Sequence, residues 1–199
     1  ELGPLAAPHG KELAGCLEDR DAGVRVAAVA ALVSAGPSMA PNLKYVKLRL
    51  SSESPDVRRS AVDAMRGLSR VCPVFAQSMG KYLSEDAGEQ ADGGRQLIHI
   101  LTVLAGAGDN AKPFLQDMVY ELENPNWAVR RAAIEALEDL EEQAAPVADQ
   151  VARRLLHADP DVRRAAAEAL GRMGAHGAGH AQRLEAMLET EEDEDTKRA

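Results

Sequence analysis

One motif recurs along the chain. ADPDVRRAAAEALGRMG at 158–174 returns, with drift, as NPNWAVRRAAIEALEDL, DVRRSAVDAMRGL and GVRVAAVAALVSA. Aligning the shared valine gives Val24, Val57, Val129 and Val162, at spacings of 33, 72 and 33 residues. A period in this range marks stacked supersecondary units rather than a single closed core. The 72-residue gap is two steps of 36, so a degenerate unit is expected near Gly93. There GGRQLIHILTVLAG places Leu101 in the slot of Met65 and Leu137. The array therefore has about five units.

Each unit is expected to be a pair of helices. In the second helix Val162, Ala165, Ala166, Ala169, Leu170 and Met173 follow the i, i+3, i+4, i+7 spacing of an apolar stripe. Upstream stands a column of short polar residues, Asp21, Ser54, Asn126 and Asp159. Their side-chain oxygens suit the free amides of a first helical turn. Pro55 and Pro160 follow at the first helical position, where a missing N–H costs little. The first helix of each unit opens near Pro8, Pro41, Pro73, Pro113 and Pro146. Its stripe is then Leu13 and Leu17, Val46 and Leu50, Met79 and Leu83, Met118 and Leu122, Val151 and Leu155. One such pair cannot bury its own apolar face, and stacking supplies the missing cover. Aromatics are only 3% of the chain, so the core is built from Ala, Leu and Val. That composition favours closely packed helices over strands.

The unit length, the helix pair and the turn-Val-Arg-Arg-Ala-Ala-x-x-Ala-Leu signature resemble HEAT repeats, and the Ala-rich form resembles those of phycobilisome bilin lyases. The resemblance is strong in units two, four and five, weaker in one and poor in three. It implies an all-α fold, an armadillo-like α-solenoid of about five helical hairpins whose second helices line the concave side. The solenoid is expected over residues 1–188. Its units fall roughly at 8–36, 41–70, 73–106, 113–143 and 146–174, with part of a sixth from 179. Residues 189–199 form an acidic end, read either as a solvated tail or as the start of a further repeat. DTKRA at 195–199 aligns with DVRRA at 161–165, and ELGPL at the other end resembles the EALGRM that closes a second helix. Both favour a longer array.

Charge divides the chain. The net −9 conceals 11 basic and 8 acidic residues in 1–83 against 12 and 24 in 84–199. Without an extended basic stripe, nucleic acid is not expected as a partner. No apolar run approaches a membrane span, and no secretory signal is visible, so an intracellular setting, cytoplasm or organelle interior, is expected. Cys16 and Cys72 sit in unrelated settings and are read as reduced thiols.

Several residues invite a functional reading. Arg25, Arg58, Arg130 and Arg163 share one column, and the HEAT resemblance implies a structural ladder in which each arginine reaches carboxylates or carbonyls of adjacent turns. Arg59, Arg131 and Arg164 pair at i+4 with Asp63, Glu135 and Glu168 and mark the wet face. The third unit interrupts that face. His99 stands where Asp63 and Glu135 stand, Thr102 where Arg66 and Glu138 stand, and Val103 where Gly67 and Asp139 stand. Arg95 remains, but Gly93-Gly94 removes the ladder arginine. The resulting uncharged patch is read as a partner site on the concave face, with His99 and Val103 central and Asp63, Arg66, Glu135 and Asp139 as its rim; inward packing of a degenerate repeat is the alternative. Trp127 is expected to pack on the neighbouring repeat. Lys44, Lys47 and Arg49 are expected to be a solvated outer face. His176 and His180 lie in GAHGAGH, a Gly-rich inter-helix loop, and no metal site is expected.

Enzyme chemistry is not expected. There is no Walker-type glycine loop, His-Glu-x-x-His or Cys-x-x-Cys, and no His-Glu dipeptide of the kind that HEAT-like iron hydroxylases depend on. The reading is a non-enzymatic scaffold or adaptor, without cofactor, that binds a protein partner as a subunit or assembly factor of a larger complex. Its acidic C-terminal half favours a basic partner surface. A bilin-lyase-like protein that handles a chromophore is the alternative, and the oligomeric state is left open.

Overall fold

The structure, a computed structural model, describes residues 3–85 and 94–198. Among them there are helices and no strands. The second helices are α2 (Ala22–Ala35), α4 (Pro55–Val71), α6 (Arg95–Ala105), α8 (Trp127–Asp139) and α10 (Pro160–Arg172). They lie side by side in chain order, each packed on the next. The first helices are α1 (Gly10–Gly15), α3 (Leu43–Leu48), α5 (Pro73–Glu85), α7 (Leu115–Tyr120) and α9 (Ala148–Arg153). Beyond α10 come α11 (Ala175–Ala178), α12 (Ala181–Thr190) and α13 (Glu194–Lys197). The fold is an all-α helical-repeat solenoid. Gly93, at the centre of the degenerate unit, and residues 1, 2 and 199 lie outside the described residues.

The first helices are short because their flanks wind more tightly. In units one, two, four and five, a 3-10 segment holding Pro8, Pro41, Pro113 or Pro146 precedes six residues of α-helix and a last 3-10 turn. A proline inside the segment withholds an N–H from the regular ladder. The third unit differs: Cys72 alone separates α4 from α5, which starts at Pro73 and runs 13 residues as one α-helix.

Capping follows the residue types at three sites and fails at one. Asp21 accepts from the amides of Gly23 and Val24, Asn126 from Ala128, and Asp159 from Asp161. Ser54 makes no such bond; its own amide donates to Ser52 Oγ instead. The same backward bond recurs from Asp21 to Asp19, Asn126 to Asn124 and Asp159 to His157 Nδ1. Those four upstream residues form a second column that the sequence reading left unassigned.

The core runs through the seam between the two layers. Leu17, Leu32, Met65, Leu68, Leu101, Leu137 and Leu170 are buried along it. Asparagines latch units together: Asn42 donates to the carbonyl of Ala7, and Asn110 to those of Ser69 and Arg70.

Two further expectations need correction. Ala22–Ser51 is long and apolar enough for a membrane span by composition, with mean hydropathy 1.4 over 18 residues. Gly36, at φ +59°, followed by Pro37 and Pro41, breaks it into separate pieces. α2 alone, at 14 residues, is about 21 Å long against a hydrocarbon core of about 30 Å. GAHGAGH is not all loop either, since 175–178 make the turn of α11. Gly177 sits there against the carbonyl of Leu170, where a side chain would clash.

Candidate functional site

The arginine column begins as backbone chemistry. Arg25 Nη1 donates to the carbonyls of Asp19 and Arg20, Arg58 to Ser52 and Glu53, Arg130 to Asn124 and Pro125, and Arg163 to His157 and Ala158. Each arginine thus closes the turn of its own unit. A further guanidinium nitrogen reaches forward: Arg25 to Asp56 at 3.5 Å, Arg130 to Asp161 at 2.7 Å and Arg163 to Glu191 at 2.6 Å. The Arg163 guanidinium, helped by the amides of Asp193 and Glu192, pulls the Glu191 carboxyl down to about 2. Gly94 occupies the ladder slot of the third unit.

A second, outer pair of arginines links first helices. Arg49 donates to the Tyr45 carbonyl and lies 2.9 Å from Glu18; Arg154 donates to the Gln150 carbonyl and lies 2.9 Å from Glu123. Arg49 is therefore a tie between units one and two rather than part of a solvated cluster. Its neighbours differ as well. Lys47 stands 3.3 Å from the centroid of the Tyr82 ring and Lys44 5.0 Å from that of Tyr45.

The uncharged patch proposed on the third unit does not survive as drawn. Val103 is fully buried (0% exposed), and Ser69 Oγ donates to its carbonyl. The reason lies in its column. A Cβ on Gly67, the equivalent position, would meet the side chain of Val33, so the column faces a neighbouring second helix and not solvent. Thr102 turns its hydroxyl back onto the Ile98 carbonyl. Arg66 and Asp139, expected on opposite rims, bond to each other at 2.5 Å across the end of α6. Gly106 makes that crossing feasible, because any side chain there would strike Arg66. Asp63 and Glu135 remain exposed, Glu135 held by Arg131 at 2.9 Å. Arg95 and His99 lie toward the opposite end of α6, against α3 and α5.

The face of units four and five is more organised. Trp127, expected to pack on its neighbour, is 66% exposed instead. It is the first residue of α8, where a side chain projects over the preceding turn. Below it a groove of about 300 Å³ runs between α8 and α10, walled by Arg131 and Ile134 on one side and by Arg164, Ala165 and Glu168 on the other. Its charges are held by one another: Arg130 and Arg164 share Asp161, and Arg172 reaches Glu138 at 2.7 Å. In the 3-10 segment Glu121–Glu123 before α8, burial raises the Glu121 carboxyl, opposed by the Asn124 amide and reinforced by Asp117.

The fold and its ladder define a helical-repeat solenoid of stacked hairpins. A model of the HEAT repeats matches residues 115–199. No curated protein sequence matches the chain. Among solved structures, an engineered protein of a structural genomics consortium is 16% identical, with 96% of this chain and 92% of that one covered and a TM-score of 0.45. A designed armadillo repeat protein in complex with a (KR)4 peptide is 17% identical, with 94% and 95% covered and a TM-score of 0.44. Computationally designed armadillo repeat proteins for modular peptide recognition give 18%, 94%, 95% and 0.42.

Proposed function

We propose that the chain is a non-enzymatic scaffold or adaptor that takes a protein partner on its second-helix face, as a subunit or assembly factor of a larger complex. Repeat solenoids of this class typically bind proteins rather than catalyse reactions. The observation that carries the reading is Trp127, 66% exposed at the head of the groove between α8 and α10. It stands over a groove lined by four arginines, Arg130, Arg131, Arg164 and Arg172, and tryptophan and arginine dominate the energetic centres of interfaces. The surrounding arginines are already fixed by Asp161, Glu135 and Glu138. Little side-chain freedom is then lost on binding. The partner surface is accordingly centred on units four and five, with Glu135 and Asp139 at its edge and Asp63, Arg66, Arg95, His99 and Thr102 outside its core. The acidic excess of residues 84–199 favours a basic partner.

The test is quantitative capture from native extract with wild type, Trp127→Ala and Glu168→Arg, all checked for helicity and melting temperature. The expected result is a protein held by wild type and lost from both variants. A partner held equally by all three folded proteins would refute the site.

A further inference from the structure

A second cavity lies apart from that groove. Between α3, α5 and the start of α6 lies a recess of about 540 Å³. That volume falls in the range of small-molecule sites, about 300 to 1,000 Å³. Met79 and Ile100 line it and are buried, the Tyr82 ring is half-buried, and Leu48 stands at its lip, 66% exposed. Its ionisable lining groups other than tyrosine are all basic: Lys44, Lys47, Arg95 and His99. This holds in a chain whose net charge is −9. Among the described residues, no carboxylate pairs with Lys44, Lys47 or Arg95, although nearly every arginine of units four and five has one. Lys47 and Lys44 rest on tyrosine rings, which keeps their stems ordered and leaves ammonium hydrogens for an acceptor.

From this we infer a binding site for a small amphipathic anion, a carboxylate with an apolar body. The body lies on Met79, Ile100 and Tyr82 under Leu48, and the anionic end meets Lys44, Lys47 and Arg95. An apolar floor without the cations would take a neutral ligand as well, and cations without the floor would hold only hydrated ions. Their combination selects molecules that have both parts. The site is separate from the groove at Trp127, so either can fail without the other.

The probes are 8-anilinonaphthalene-1-sulfonate, its uncharged relative N-phenyl-1-naphthylamine, and dodecanoate as competitor, titrated against the full chain by fluorescence. One saturable site is expected, with the sulfonate bound at least about tenfold more tightly than the neutral dye, the worth of one good charge-assisted contact. Dodecanoate displaces it, and dodecyltrimethylammonium does not. Leu48→Asp and Arg95→Glu change exposed side chains, so both fold, and each weakens the sulfonate about tenfold or more. Trp127→Ala leaves the titration unchanged. Equal affinity for the two dyes, or a titration untouched by Leu48→Asp and Arg95→Glu in folded protein, overturns the inference.

Discussion

Units four and five, set beside units two and three, show what the ladder does for a solenoid face. In α8 and α10 side-chain caps are in place, both ladder arginines reach forward, and carboxylates answer the remaining guanidiniums. The surface is charged yet electrically closed. In α4 and α6 the cap at Ser54 is silent, Gly94 replaces the ladder arginine, and α6 carries no charged residue between Gln96 and Ala105. A helix this apolar sinks between its neighbours. Arg66 then spans its end to reach Asp139, and Lys44, Lys47 and Arg95, with no carboxylate partner among the described residues, line the recess beside α3. One missing arginine thus separates a paired face, where we propose the protein partner, from the basic recess, where we infer the small anion.

The comparison breaks most sharply through burial. Ala169→Asp in α10 and Val103→Glu in α6 both place a charge where no solvent reaches, and each should cost about 4 kcal/mol or more. Thermal unfolding followed by circular dichroism checks this. A Val103→Glu protein that melts with the wild type would show that the third unit is not closed as described.

Much of this architecture was legible in the sequence because its causes are local. The apolar stripes and the Asp21, Asn126 and Asp159 caps each depend on residues within one helix of one another, and the Val24, Val57, Val129 and Val162 spacing repeats that local pattern from unit to unit. The candidate site was less legible because it depends on distant neighbours. Gly67 reads as a small exposed residue until Val33 is seen against it. Arg66 and Asp139 are 73 positions apart, and no periodicity announces their bond. Residue type misleads at position 127, since tryptophan is highly buried on average and Trp127 is exposed. The basic recess was visible only as the Lys44, Lys47, Arg49 cluster, and the structure replaces Arg49 with Arg95 and His99 from another unit.

Ladder arginines give the next effect in size. Arg130 is buried and bonded to two carbonyls and Asp161, so Arg130→Met should cost about 2 kcal/mol by stranding those acceptors. Arg66→Ala, at a half-exposed pair, should cost under about 1 kcal/mol. Urea denaturation of the two variants ranks them, and the reverse order would deny the ladder its role.

Acid gives the smallest effect and the clearest sign. Glu191 titrates near 2 when folded, below the ordinary 4.5. Its contribution is complete above the unfolded value and is lost as pH falls toward 2. Glu121 is raised by burial, so its contribution is complete below the ordinary value and declines as pH rises through the folded one. Amide exchange, corrected for intrinsic rates, should therefore loosen at 187–197 on going from neutral pH to about pH 3, while 115–124 gains or holds protection. Uniform loss in both segments would contradict the assignment.

The central claim is that units four and five present the partner surface. Hydrogen exchange of the full chain with and without the captured partner tests it most directly. The account predicts new protection in α8 and α10, greatest at 127–134 and 161–168, with α7 and α9 unchanged. Protection confined to the first helices, or to α2 and α4, would contradict it.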